Sequence, residues 1–253
     1  MNYKQFEDNI FAEWRKRSIA NGDGCELASD GLLYRGRFVY KDGYWSREPG
    51  NENAIWERAK RRVLILTKDL NDEEAWDIRA ETGRNNFSGE NNVVVSAPFY
   101  KNLMRWVYGL LMIDANGHAK KFAEIDRQDV YQPFYDQAPV ARVNCKKQVG
   151  KSSIETSVLK SYMERYKDLL VKQISAYDAN IFLCCGASGA IKDFVAENYL
   201  TDLLKLNNWV YYSPRTRKMV IDSWHPTYMG DTHEKMYSDM MSGVEEAWSR
   251  IKL

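Results

Sequence analysis

The sequence has no long apolar run and no apolar leader. None of its stretches approaches the roughly 18 consecutive apolar residues that a membrane-spanning helix needs. Residues 1–8 are charged and lack the apolar core of a secretion signal. These absences argue against a membrane protein and a secreted protein, so we expect a cytoplasmic protein that has no membrane partner.

Cysteine and histidine are also scarce, with four cysteines and three histidines among 253 residues. The cysteines include no C-x-x-C pair, and Cys184 and Cys185 are adjacent within an apolar run. Adjacent residues on a strand point to opposite faces of a sheet, so this pair cannot easily bind one metal ion. We therefore predict no metal site and no cofactor, and we interpret the cysteines as small buried side chains.

A strong charge of either sign is missing as well. The formal net charge of +1 gives no overall attraction to nucleic acid, so any such binding would need a local basic surface. What the sequence does have is the composition of a soluble globular protein, with 44% hydrophobic and 28% charged residues. Because no repeat, low-complexity tract or linker interrupts it, we predict one domain over residues 1–253 and expect a monomer.

The hydrophobic pattern predicts a mixed α/β protein. Phe6, Ile10 and Trp14 recur at helical spacing, and this helix is followed by a β-hairpin pattern over residues 31–45. The helix and the hairpin form an amino-terminal extension over about residues 1–53. After it, helical and strand patterns alternate, which predicts a three-layer αβα sandwich with a largely parallel central sheet. The predicted strands are residues 63–66, 139–143, 181–185, 210–213 and 219–223.

Polar side chains follow four of these strands. Asp69 comes soon after the first, and Asn144 comes directly after the second. The strand over residues 181–185 opens into a glycine-containing helix start that includes Ser188, and the strand over residues 219–223 is followed by His225 and Pro226. A proline there should end the strand, because it lacks an N–H and its ring fixes φ. Since open α/β sheets bind ligands at the carboxyl ends of their strands, we expect these side chains to lie at one rim.

The order of these strand ends, over about residues 63–230, resembles the uracil-DNA glycosylase superfamily. The resemblance implies that Asp69 is the catalytic carboxylate that activates water, and that His225 is the catalytic imidazole that stabilises the departing base. It implies that Asn144 binds the base edge and that Phe87 stacks on the base. It also implies a uracil-DNA glycosylase-like fold and a hydrolase for DNA repair, which removes uracil or a related damaged base after base flipping.

The resemblance and the strand-end positions also predict a DNA-binding surface. Three lysines after the second strand would supply the local basic face that the net charge does not, and two hydroxyls would contact the backbone. A methionine stands where some members of the family carry a leucine that wedges into the duplex. We expect the partner to be single-stranded or uracil-containing DNA. The predicted DNA-binding residues are Lys146, Lys147, Lys151, Ser188, Thr227 and Met229.

Departures from the family pattern leave the function open. Thr67 and Leu70 stand where the family usually has glycine and proline. Asn71 stands where some members place an aromatic residue that excludes thymine, and the acidic residues 72–74 lie close to the expected DNA surface. Three alternatives remain: an active DNA N-glycosylase, a catalytically inactive glycosylase-fold module that binds nucleic acid or nucleotides, and an unrelated α/β enzyme whose strand ends match by coincidence.

Overall fold

The computed structural model of the protein describes residues 1–41, 43–72, 74–85, 94–95, 97–150 and 154–253. Within these ranges, no helix is long and apolar enough to cross a membrane. Short 3-10 helices cover Ile78–Ala80, Ala187–Gly189 and Trp248–Arg250. The α-helices are α1 (Tyr3–Ala20), α2 (Glu52–Arg58), α3 (Pro98–Leu111), α4 (Phe122–Ile125), α5 (Gln128–Tyr135), α6 (Thr156–Arg165), α7 (Lys167–Tyr177), α8 (Ala190–Asn198) and α9 (His233–Ala247).

The strands in chain order are β1 (Gly31–Leu32), β2 (Phe38–Lys41), β3 (Tyr44–Arg47), β4 (Val63–Thr67), β5 (Leu70–Asn71), β6 (Arg84–Asn85), β7 (Val94–Val95), β8 (Val140–Asn144), β9 (Val149–Gly150), β10 (Ile181–Cys185), β11 (Leu204–Lys205), β12 (Val210–Ser213) and β13 (Lys218–Ser223). Seven of them form the main sheet in the spatial order β1-β8-β4-β10-β13-β12-β11. The four central strands β8, β4, β10 and β13 are parallel, and the edge strands pair antiparallel. The predicted α/β fold with a largely parallel sheet between helices is confirmed at this level.

The strand order creates a crevice at the carboxyl edge of the sheet. β4 and β10 lie side by side, but the chain leaves β4 toward β8 on one side and leaves β10 toward β13 on the other. Because these connections diverge, the space above the carboxyl ends of β4 and β10 stays open to a ligand, as in other open α/β sheets.

Both faces of the sheet are buried, because successive side chains point in opposite directions. Leu64 and Leu66 face a core built with α1, α6, α7 and α8. Val63 and Ile65 face a second core built with α3, α5 and α9. Each such side chain contributes about 1.5–3 kcal/mol of stability by its burial. Strands covered on both sides need apolar residues throughout, which explains the continuous apolar runs in the sequence.

The amino-terminal segment is packed into the same domain. Ile10, Phe11 and Trp14 of α1 belong to the first core, and β1 is the edge strand of the main sheet. The hairpin consists only of β2 and β3, so the prediction that it began at Gly31 was wrong. Gly31 instead pairs with Arg142 of β8, a partner that lies far away in the sequence and that local pattern could not reveal.

Candidate functional site

Asp69 lies just beyond β4, where the parallel pairing with β8 continues. The Lys146 N–H donates to the Lys68 carbonyl over 2.8 Å, and β5 then pairs with β9. The Asp69 side chain is only 1% exposed, with the Lys68 ammonium 3.6 Å from Oδ1 and the Lys146 ammonium 3.7 Å from Oδ2. A Cβ at Gly150 would collide with Oδ2, so the carboxylate occupies space that only glycine leaves free.

Burial and two nearby cations act in opposite directions on the ionisation of the Asp69 carboxyl group. Burial raises the pKa of Asp69, while the charges of Lys68 and Lys146 pull it back. Burial in turn lowers the pKa of Lys146. Oδ1 is buried and accepts no hydrogen bond from any residue that the structure describes. A buried acceptor without a hydrogen bond normally costs about 1–3 kcal/mol, and the ion pair with Lys68 offsets part of that cost here.

Asn144, the last residue of β8, is fully buried beside the end of β4. Its Oδ1 accepts a hydrogen bond from the Thr67 hydroxyl, and its backbone N–H donates to Asp30 Oδ2 over 2.8 Å. Its Nδ2 is buried and has no acceptor among the described residues. The amide is therefore fixed through its oxygen and presents an unused donor at the carboxyl edge.

His225 lies two residues beyond β13 and is partly buried. Its Nδ1 accepts the Thr227 N–H over 3.3 Å and lies 2.7 Å from the Thr227 hydroxyl. Because Nδ1 is an acceptor, the neutral imidazole carries its proton on Nε2. Burial, followed by the charges of Lys68 and Arg142, lowers the pKa of His225 to about 4. At neutral pH the ring is therefore an uncharged donor through Nε2.

The turn after β10 brings its backbone directly against His225. A Cβ at Gly186 would lie 3.0 Å from the His225 Cβ, and the Gly186 N–H donates to the Ser223 carbonyl over 2.9 Å. Gly186, Ala187, Ser188 and Gly189 all have positive φ, between 49° and 81°. Left-handed backbone at Ala187 and Ser188 costs about 1–2 kcal/mol per residue. The turn is thus strained next to the imidazole, a pattern common at functional sites.

Two residues that sequence reasoning missed link β8 to His225. Arg142 lies two residues before Asn144 on the same face of β8, and its Cζ lies 4.6 Å from the centroid of the Phe99 ring. That ring is 5.7 Å from the centroid of the His225 ring. An arginine inside the apolar strand Val140–Asn144 was the available signal, because a charge is rarely buried unless it is paired. Phe99 gave no signal beyond its place at the start of α3.

A contact with α3 fixes the loop that carries His225. Asn102 is fully buried and donates from Nδ2 to the Pro226 carbonyl over 2.7 Å. Arg105 donates to Asn102 Oδ1 over 3.3 Å and also pairs with Asp126. These contacts fix the backbone next to the imidazole.

The expected basic face is not formed by Lys147, and this prediction was wrong. Lys147 is fully buried, and its Nζ lies 2.7 and 2.9 Å from the Asp30 carboxylate oxygens and 2.8 Å from Gln173 Oε1. The ammonium also lies 4.7 Å from the Trp14 ring centroid. The side chain enters the core because a carboxylate and an amide, both far away in the sequence, satisfy its charge there. It cannot reach a phosphate.

The remaining predicted contacts fall into two groups. Lys146 donates to the carbonyls of Gln148 and Val149, each over 3.0 Å, so it serves the Asp69 surroundings. Exposed residues at the carboxyl edge are Ser188, Thr227 and Met229, the last with 85% of its surface accessible. Phe87 and Lys151 lie outside the described residues.

A cavity of about 530 Å³ is lined partly by Lys146, together with Asp23, Arg165 and Ser161. It is not the shared pocket that the strand ends predicted, because Asp69, Asn144 and His225 do not line it. Among the described residues, no group of three or more His, Cys, Asp or Glu side chains could hold a metal ion.

Comparison with known proteins does not assign the chain to a family. No protein-family model matches it, and no significant relative is found among curated proteins.

Proposed function

We propose that the protein is a DNA N-glycosylase that hydrolyses the bond between deoxyribose and uracil or a related damaged base. The observation that carries the proposal is a pair of buried atoms without a hydrogen bond: Asp69 Oδ1, just beyond β4 and ion-paired with Lys68, and Asn144 Nδ2, at the end of the neighbouring strand β8. A water molecule would complete the acceptor, and a base edge would complete the donor. His225 adds an uncharged donor at the end of the fourth parallel strand.

The reaction needs two charges to be stabilised at once. The C1′–N bond breaks with its electron pair going to the base, so the sugar becomes cationic and the base anionic. Asp69, as a carboxylate, can stabilise the sugar cation and accept a proton from the water whose oxygen bonds to C1′. The raised pKa of Asp69 suits this proton transfer, because general bases work best when their pKa lies closer to the working pH.

The departing base needs donors that do not become charged themselves. His225 can donate from Nε2 to a base oxygen, and one such donor is commonly worth about 2.7–4 kcal/mol in the transition state. Asn144 Nδ2 can donate to a second acceptor on the base edge. The base must first leave the stack, and exposed Met229 on the His225 loop could fill the gap that it leaves.

A second candidate function is a binding module that keeps this fold but does not turn over substrate. The observation that favours it is the enclosure of Asp69, whose carboxylate is 1% exposed between two ammonium groups. A carboxylate so fully paired could hold the loop after β4 in place and activate no water.

One assay separates the two functions. Oligonucleotides that contain uracil, hypoxanthine or other altered bases are incubated with the protein, and abasic sites are detected by alkaline cleavage. We expect cleavage by the wild type and a loss of several orders of magnitude in Asp69→Asn and His225→Ala, with nearly unchanged DNA affinity. DNA binding without any cleavage would favour the binding module, and the absence of both would overturn both functions.

A further inference from the structure

Arg142 is a buried cation on β8, two residues before Asn144. Its side chain is 6% exposed, and its Nη1 lies 2.5 Å from Glu81 Oε2. Its guanidinium lies on the Phe99 ring, which fixes the plane of the group. Burying a charge costs several kcal/mol of desolvation energy even when the charge is paired, so the burial of this arginine opposes folding unless its contacts offset that cost.

Half of this guanidinium is unused. Nη1 is taken by Glu81, whereas Nε is buried without an acceptor, and Nη2 donates to none of the residues that the structure describes. Nε and Nη2 present two parallel N–H groups along one edge of the fork. This edge fits the two oxygens of one carboxylate or phosphate, which is the strongest pairing that arginine makes.

Arg142 lies on the same face of β8 as Asn144, whose amide donor has no acceptor among the described residues. Arg142 and Asn144 are two positions apart on β8, so their side chains lie on the same face of the sheet. The Phe99 ring contacts Arg142 and His225, and the charge of Arg142 is one of the causes that lower the pKa of His225. A ligand that meets Asn144 and His225 therefore also comes close to Arg142.

The distance of Arg142 from the carboxyl edge of the sheet determines which oxyanion would reach its guanidinium. Arg142 is two residues further from the carboxyl edge than Asn144, which is about 7 Å along a strand. The phosphates of a bound strand stay at the protein surface, whereas a flipped base enters the site. The part of the ligand nearest to Arg142 would then be a substituent of the base.

We infer that the site accepts a pyrimidine base that carries a carboxylate, which binds the Nε–Nη2 edge of Arg142 through both oxygens. This inference rests on the proposed function for the direction in which the base enters. Glu81 is a positioning residue: it holds Nη1 and so turns the other edge toward the ligand.

Calorimetric titration of the whole protein with free bases tests this. The probes are uracil, uracil-5-carboxylate, uracil-6-carboxylate and inorganic phosphate. We expect at least one carboxylated base to bind about tenfold or more tightly than uracil, the gain typical of a hydrogen-bonded charge pair. The preference should disappear in Arg142→Gln and shrink in Arg142→Lys, which keeps the charge but loses the fork.

Two further variants guard against misfolding and general charge effects. Glu81→Gln keeps a hydrogen-bonding partner for Nη1 and should retain the preference. Arg127→Gln changes an exposed arginine that pairs with exposed Asp129, and it should behave as the wild type. If circular dichroism shows that Arg142→Gln does not fold, the carboxylate preference of Arg142→Lys is compared with that of Glu81→Gln. A preference that shrinks in Arg142→Lys and is retained in Glu81→Gln supports the inference, and an equal preference in both contradicts it.

Equal affinity for uracil and both carboxylated bases, or a preference that survives both Arg142 substitutions, would overturn the inference. Phosphate that binds as tightly and displaces the carboxylated base would show that the oxyanion comes from the backbone, and would also overturn it. Excision of uracil without a preference for carboxylated bases would refute this inference alone. A preference for carboxylated bases without any excision would refute the glycosylase proposal and support the carboxylate site.

Discussion

Removal of the Lys146 charge should raise the pKa of Asp69 further. The ammonium lies 3.7 Å from Asp69 Oδ2 and is 18% exposed, so solvent screens it only in part. A unit charge at this distance is worth about 4 kcal/mol at an effective dielectric constant of about 20. Because this cation favours the carboxylate, we expect Lys146→Met to raise the pKa of Asp69.

The measurement is a carbon-13 NMR titration of the Asp69 carboxyl, which does not depend on catalysis. If the protein excises bases, the acidic limb of its pH–rate profile should move upward by the same amount, because the ionised form of Asp69 is the active one. The sign follows from the charge: a cation favours the carboxylate, so its loss favours the protonated acid.

Two control variants define the outcome that would refute this reasoning. Lys146→Arg keeps the charge and should leave the Asp69 titration near that of the wild type. Lys160→Met removes an exposed lysine of α6 and should have no effect. If Lys146→Met titrates as the wild type does, or if Lys160→Met shifts Asp69 equally, the local pairing does not control this carboxyl group.

Three further predictions concern steric fit, orientation and burial. Gly150→Ala should displace the Asp69 carboxylate and slow base release about 100-fold, as misplacement by about 1 Å can, with little change in DNA affinity in a binding titration. Thr227→Val removes the hydroxyl beside His225 Nδ1 and should slow base release by about two- to tenfold in single-turnover kinetics, without lowering the melting temperature. Lys147→Met leaves the buried Asp30 carboxylate unpaired and should cost about 3–5 kcal/mol in urea denaturation. In the folded fraction, the salt dependence of DNA binding should stay as in the wild type, and a changed salt slope would contradict the buried position of Lys147.

The central strands and the side chains at their carboxyl ends could be predicted from sequence because their signals are local. β10 and residues 63–66 of β4 are apolar throughout, and β13 has an apolar centre at residues 219–221, which is what burial on both faces demands. Pro226 marks the turn after β13, and this fixes His225 at the carboxyl edge. Between Thr156 and Tyr177 the chain forms two helices, α6 and α7, because the helical geometry breaks at Tyr166.

By itself the sequence determined the α/β alternation, the strand ends and the residues that they carry, since each depends on neighbours within a few positions. Only the tertiary structure decided which charges are buried. Lys147 was expected on the surface and lies in the core, because Asp30 and Gln173 meet it there. Arg142, Glu81 and Phe99 became a group only when β8, the segment after β5 and the start of α3 came together. The physical reason is that a buried charge is tolerated only beside its partner, and these partners are brought together by folding and not by their positions in the sequence.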